Sequence, residues 1–185
     1  MKVCIVGSQG IGKTSFVSKF TRNSISDSVV ITETSDYEVS ITVKGRIVDL
    51  DIHDMQMCES PIERKRVFNQ TDCFLLCFAM NDRKSFEDIK TKWFNEVTEV
   101  SDGRCVLVGL KADLKDVKQS VVTDTEICNL AQQLKTCGWA TLSIYRHKGI
   151  KDLFDFIAYG VSIPCFSPTR KESERKKIAK NRIAL

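Results

Sequence analysis

Histidine is scarce in this chain, with two in 185 residues, and none of its eight cysteines belongs to a Cys-x-x-Cys pair. The first scarcity leaves little for histidine chemistry. His53 falls on the polar positions of an alternating segment and His147 lies in a loop, and neither has a partner pattern for catalysis or metal binding, so both are expected at the surface. The missing pair removes the spacing of a structural zinc site. No apolar stretch approaches the ~18 residues of a membrane span, and only the short run Val3 to Val6 precedes Gly7, so neither a spanning helix nor a signal peptide is expected. A cytoplasmic protein with reduced thiols follows from that expectation. Cys4, Cys73, Cys77 and Cys105 lie inside apolar runs and are expected to serve as small core hydrophobes.

What is present suits one ordinary globular domain: 42% hydrophobic and 28% charged residues in a chain of this length. The net charge of +4 is not spread evenly, because seven Lys or Arg residues and only two acids fall between Arg170 and Leu185. The preceding 169 residues hold 21 basic against 22 acidic side chains, so a general nucleic-acid-binding surface is not indicated. The domain is expected over residues 1–162 and a flexible basic tail over 163–185, with Pro164 and Pro168 at the junction.

Short apolar runs alternate with helix-period segments. Val3 to Val6, Cys73 to Met80, Cys105 to Leu110 and Thr141 to Tyr145 read as strands too uninterrupted to be half exposed, which implies a mostly parallel sheet with helices on both faces. Tyr37, Val39, Ile41 and Val43 alternate with polar residues, then Lys44 and Gly45 turn the chain into Val48, Leu50 and Ile52, which is the pattern of an antiparallel hairpin at a sheet edge. The expected sheet is six-stranded with one antiparallel edge strand. Helices are expected at Thr14 to Arg22, Pro61 to Asn69, Arg83 to Val100, Thr125 to Cys137 and Lys148 to Tyr159, the fourth opened by a capping box of Thr123 and Glu126. Phe74, Phe78, Phe86, Trp93, Phe94, Phe154 and Phe156 fall on apolar faces and are assigned to packing.

Between the first strand and the first helix, Gly7 to Thr14 matches G-x-x-x-x-G-K-[ST], and this strand-to-helix position is what makes the match specific. Glycines let the backbone wrap a phosphate, so that N–H groups from about Gly10 to Thr14 face the anion at the start of a helix. Lys13 supplies a point charge and the Thr14 hydroxyl reaches Mg²⁺. The phosphate-binding set is therefore Gly7, Gln9, Gly10, Ile11, Gly12, Lys13, Thr14 and Ser15, within a P-loop NTPase fold.

Further motifs follow in order: Thr32, then Asp54 at the end of the hairpin, then Lys111 and Asp113 after one buried strand, then Ser143 after another. With the P-loop they give the chain a resemblance to the Ras, Rho and Rab small GTPases over residues 1 to about 162. The resemblance implies guanine nucleotide (GTP/GDP) as ligand with Mg²⁺ as cofactor, the metal held by Thr14, Thr32 and Asp54. It also implies that Lys13 and Thr32 act on the γ-phosphate and that Lys111, Asp113, Ser143 and Ile144 surround the base. A carboxylate at Asp113 accepts from N1–H and the N2 amine of guanine but faces a bare acceptor in adenine.

The departures from the family pattern carry expectations of their own. Leu110 stands where the family has the Asn that ties base to P-loop, which costs on the order of 1 to 3 kcal/mol of binding. Tyr145 replaces the lysine of Ser-Ala-Lys, and Ile25 stands where an aromatic often covers the base, so affinity is expected to fall to micromolar. Met57 and Cys58 replace the glycine that senses the γ-phosphate and the glutamine that orients water, so slow hydrolysis and muted switching are expected. Cys58 itself is read as inert filler rather than a redox thiol, and Gln9 as crowding the γ-phosphate side of the loop.

Two functions compete on this reading: a slow atypical GTPase acting as a monomeric signalling or trafficking switch toward effector and regulator proteins, and a non-hydrolysing interaction module on the same fold. An ATP-using kinase would need an arginine-bearing lid, for which the sequence offers no insertion. The chain lacks a prenylation motif, so its basic tail supports reversible membrane contact but not stable anchoring.

Overall fold

The structure is a computed structural model that describes residues 1–23, 29–31, 36–55, 60–117, 122–146 and 149–159. A single seven-stranded sheet runs through it, made of β1 (Lys2–Gly7), β2 (Val29–Ile31), β3 (Asp36–Val43), β4 (Arg46–Asp54), β5 (Cys73–Ala79), β6 (Arg104–Leu110) and β7 (Gly138–Thr141). The order across the sheet is β2-β3-β4-β1-β5-β6-β7, and only β3 opposes the common direction. Five of the six expected strands are there over most of their length, and the sixth is displaced towards the N-terminus. The antiparallel strand β3 is second from the edge, because the three residues of β2 pair along its outer side, a ladder too short to announce itself as alternation.

The helices are α1 (Lys13–Asn23), α2 (Pro61–Phe68), α3 (Arg83–Asp88), α4 (Phe94–Thr98), α5 (Asp124–Gln133) and α6 (Ile150–Tyr159). Between α3 and α4, Ile89–Trp93 form a π turn, so the helix expected from Arg83 to Val100 is one rod with a widened turn. Against one sheet face, Phe16 and Phe20 of α1 stack on Phe154 of α6, the latter pair with centroids 3.5 Å apart. Against the other, Phe68, Phe86, Ile89, Trp93, Ile127 and Leu130 cover β5 and β6. Every residue of β5 is buried, which is why its sequence runs apolar without alternation.

The expected aromatic core holds. So do the buried cysteines: burial pushes the thiols of Cys73 and Cys105 up to about 12, leaving them inert.

Two elements and the burial of one residue differ from the sequence expectation. The last strand is Gly138–Thr141 and meets the expected Thr141 to Tyr145 only at Thr141; beyond it Ser143 turns the chain, its hydroxyl accepting the N–H of Arg146 at 3.1 Å. Helix α5 stops at Gln133 as Lys135 enters the left-handed region at φ 52°. His53 is half-buried rather than on the surface, because β3 places Asp36 opposite it and the imidazole Nδ1 and that carboxylate pair across the strands.

The capping box of α5 forms as expected, with the Glu126 carboxylate accepting from the Thr123 N–H at 2.9 Å and its hydroxyl at 2.8 Å. Arg83 at the start of α3 reaches across to the same carboxylate at 2.5 Å. The Arg83 contact, then the two from Thr123, hold the Glu126 carboxyl down at about 2, against an ordinary 4.5. A depressed carboxyl stabilises the fold above its ordinary range and loses that contribution as pH falls from about 4.5 towards about 2. NMR titration is expected to show this midpoint for Glu126. In Arg83→Ala it is expected to rise part of the way to the ordinary value, and an unmoved midpoint would remove Arg83 as the principal cause.

Candidate functional site

The site is built where β1 leaves the centre of the sheet. Gly7 pairs with Cys77 of β5, and a Cβ added at Gly7 would stand 2.2 Å from the Cys77 carbonyl oxygen. No other residue allows that approach. Beyond it, Gly10 and Gly12 take φ of +76° and +104°, a left-handed path that L side chains resist, while Ile11 turns inward and anchors the loop in the core. The chain then enters α1 at Lys13, where the opening N–H groups have no intrahelical acceptors.

Lys13 is only 8% exposed, and its Nζ donates to the carbonyls of Gly7 at 2.8 Å and Ser8 at 3.0 Å. Burial lowers its pKa, an effect partly offset by Cys77 and Asp54. The Cys77 thiol is itself pushed far up by burial, so Asp54 is the anionic group opposite the lysine. Asp54 ends β4 in register with Ile5, and Met55 follows it with its N–H on the Ile5 carbonyl at 3.1 Å. This register brings the Asp54 carboxylate, 1% exposed, level with the loop, where it accepts the Thr14 hydroxyl at 2.5 Å. The cleft over these groups has a volume of about 390 Å³ and is lined by Gln9, Gly10, Gly12, Lys13, Thr14, Ser15 and Met55.

A second cluster lies at the ends of β6 and β7. Ser143, 2% exposed, donates to Asp113 Oδ1 at 2.7 Å, which fixes the carboxylate. Lys111 adopts φ 58° and extends its Nζ to the Gly10 carbonyl at 3.3 Å, joining this cluster to the phosphate loop. Ile144 packs half-buried against the core, whereas Tyr145 is 84% exposed. The structure therefore assembles the expected Gly7, Gln9, Gly10, Ile11, Gly12, Lys13, Thr14, Ser15 and Asp54 at one place, with Lys111, Asp113, Ser143 and Ile144 adjoining through the Lys111 contact. Thr32, Ile25, Met57, Cys58 and His147 lie outside the described residues.

A scan against protein families matches the Ras family over residues 2–162. The chain belongs to the Ras family. It is a small GTPase domain of the guanine-nucleotide-binding switch type. Among the described residues, no three His, Cys, Asp or Glu side chains gather as a metal cage. The hydroxyl of Thr14 and the carboxylate of Asp54 instead form a pair of hard oxygen donors at the cleft. That set fits Mg²⁺, which takes few protein ligands and completes its shell with phosphate oxygens and water.

Met55 is the wall of this Ras-family cleft that sequence reasoning missed. Its signal was an apolar residue directly after the strand-ending Asp54, which marks a chain still running inward. The close approach at Gly7 gives a direct test: Gly7→Ala places a methyl against the Cys77 carbonyl and is expected to cost about 3 kcal/mol of stability. Urea unfolding measures it, and a loss below ~0.5 kcal/mol would mean that β1 and β5 separate easily.

Proposed function

We propose that this Ras-family domain binds GTP and GDP with Mg²⁺ and hydrolyses GTP slowly, acting as a monomeric switch toward protein partners. The observation that carries the reading is the contact of Thr14 Oγ1 with the buried Asp54 carboxylate, 2.5 Å, in the cleft that Lys13 closes from below. Lys13 exchanges its two loop carbonyls for phosphate oxygens, and the loop N–H groups and the start of α1 add donors to the same anion. Bound Mg²⁺ supplies neutralisation of charge on the phosphates. Asp113, held by Ser143, accepts from the guanine N1–H and N2 amine. Slow turnover rests on Cys58, which has no amide to orient water, and muted switching on Met57 in place of a glycine.

A second reading, an interaction module that binds nucleotide without turnover, is favoured by one observation. Leu110 is fully buried in the core cluster, where an asparagine would tie base to loop. Titration of fluorescent GTP, GDP and ATP into nucleotide-free protein, with and without Mg²⁺, followed by single-turnover hydrolysis, separates the two.

The switch reading expects Mg²⁺-dependent guanine binding and slow but measurable phosphate release. Lys13→Ala is expected to weaken binding on the order of 100-fold, and Asp113→Ala to erase the preference for guanine over adenine. Binding without release over days would favour the module, and no guanine binding would overturn the proposal. Leu110→Asn is expected to tighten GDP binding about tenfold while lowering stability by about 2 kcal/mol, since the amide enters an apolar site. An unchanged affinity would show that the Lys111 tie to Gly10 already does the work of the absent asparagine.

A further inference from the structure

Ser8, the second residue of the phosphate loop, is gripped by the helix across from it. Its hydroxyl donates to Asp88 Oδ2 at 2.9 Å and receives the indole N–H of Trp93 at 3.4 Å, so one donor and one acceptor of the hydroxyl are both used. Asp88 and Trp93 are five residues apart. In a regular α-helix, at 3.6 residues per turn, side chains five apart diverge by about 140° and could not meet one hydroxyl. The π turn removes that divergence. Phe94 N–H bonds back five residues to the Ile89 carbonyl, and a turn closed over five residues sets Asp88 and Trp93 on one face.

The π turn is rare beside regular α-helix and is frequent at functional sites. Here the widened turn serves a contact to the phosphate loop. Trp93 is 4% exposed and Lys92 lies over its ring at 4.1 Å, so the indole is buried with a cation on one face. The peptide of Ser8 also carries the carbonyl that accepts Lys13 Nζ at 3.0 Å. Whatever fixes Ser8 therefore fixes one of the two acceptors that hold the lysine.

We infer that Asp88 and Trp93 are positioning residues of the phosphate loop. Acting through Ser8, they set the place of Lys13, slow nucleotide release, and transmit phosphate occupancy to the π turn. The inference rests on the guanine-nucleotide reading above. It predicts that Trp93 senses nucleotide, since Lys13 leaves the Ser8 carbonyl when phosphate arrives.

The test measures dissociation of a fluorescent GDP analogue from the full chain, and Trp93 emission in a Trp139→Phe background that leaves one tryptophan. Ser8→Ala and Asp88→Ala are each expected to speed release about tenfold, with the double variant no faster than either, because both cut one charge-assisted bond. Asp88→Asn keeps an acceptor oxygen and is expected to stay within about threefold of the unmodified chain. Nucleotide addition is expected to change Trp93 emission, and Ser8→Ala to abolish that change.

Should Asp88→Ala fail to fold, Trp93→Phe keeps the ring's bulk and removes the N–H, with a rise of about threefold expected from a weaker neutral bond. Release rates unchanged in these variants, or Ser8→Ala and Asp88→Ala effects that multiply while Trp93 emission ignores nucleotide, would overturn the inference and leave the binding proposal standing. An unmodified chain that gives no analogue signal at all would overturn the binding proposal and this inference with it.

Discussion

The close contact between Gly7 and the Cys77 carbonyl is the constraint on which the site depends. It lets β1 lie in the middle of the sheet, flanked by β4 and β5, and still release its chain sharply above the strand ends. The loop that follows is then fixed at both sides. On the β4 side, parallel register sets Asp54 beside Ile5, so the carboxylate reaches Thr14 without any loop of its own. On the β5 side, the chain continues past Met80 to α3 and its π turn, which hold Ser8. A strand that could not approach β5 this closely would carry the loop away from both.

The electrostatics follow from the same geometry. A buried lysine is costly unless its ammonium protons are engaged, and Lys13 engages two of them with backbone carbonyls. Those carbonyls are neutral acceptors, so the lysine charge is compensated in part by Asp54, and burial still lowers its pKa. On the proposed reading, polyphosphate improves every term at once. It replaces neutral acceptors by anionic ones and meets loop N–H groups that no helix partner uses. The protein side of the site is thus organised before ligand arrives, with its one unfavourable feature, the desolvated cation, relieved by binding.

Much of this was legible in the sequence because it rests on local rules. The P-loop spacing, the Lys44 and Gly45 turn, the Thr123 capping box and the unbroken apolar run of β5 each encode a structure through residues close in the chain, and each formed. Several of the errors originate in contacts from afar. Ser143 lies in a turn rather than in the expected strand, and its hydroxyl donates to Asp113, thirty residues away. His53 is drawn inward by Asp36 on the neighbouring strand. The π turn is invisible to periodicity, since the apolar positions from Phe86 to Val97 fit an ordinary helix and only the reach to Ser8 distinguishes the two. A three-residue strand such as β2 has too few side chains to display a period.

Leu110 shows how core and site compete for one position. It is the last residue of β6, wholly buried among the apolar side chains of the face that α1 and α6 cover, where leucine is the better packed choice and a primary amide would need partners. The next residue, Lys111, takes a left-handed conformation that throws its side chain back over the loop to Gly10. That bond joins the same two loops that an asparagine at 110 would join, but from a half-exposed position and at 3.3 Å, where it is weaker. On the proposed reading, the exchange favours stability of the domain over rigidity of the base site. On that same reading, such a site keeps its phosphate half ordered through Gly7, Lys13 and Asp54, while its base half depends on a single long lysine contact and on the Ser143 grip on Asp113.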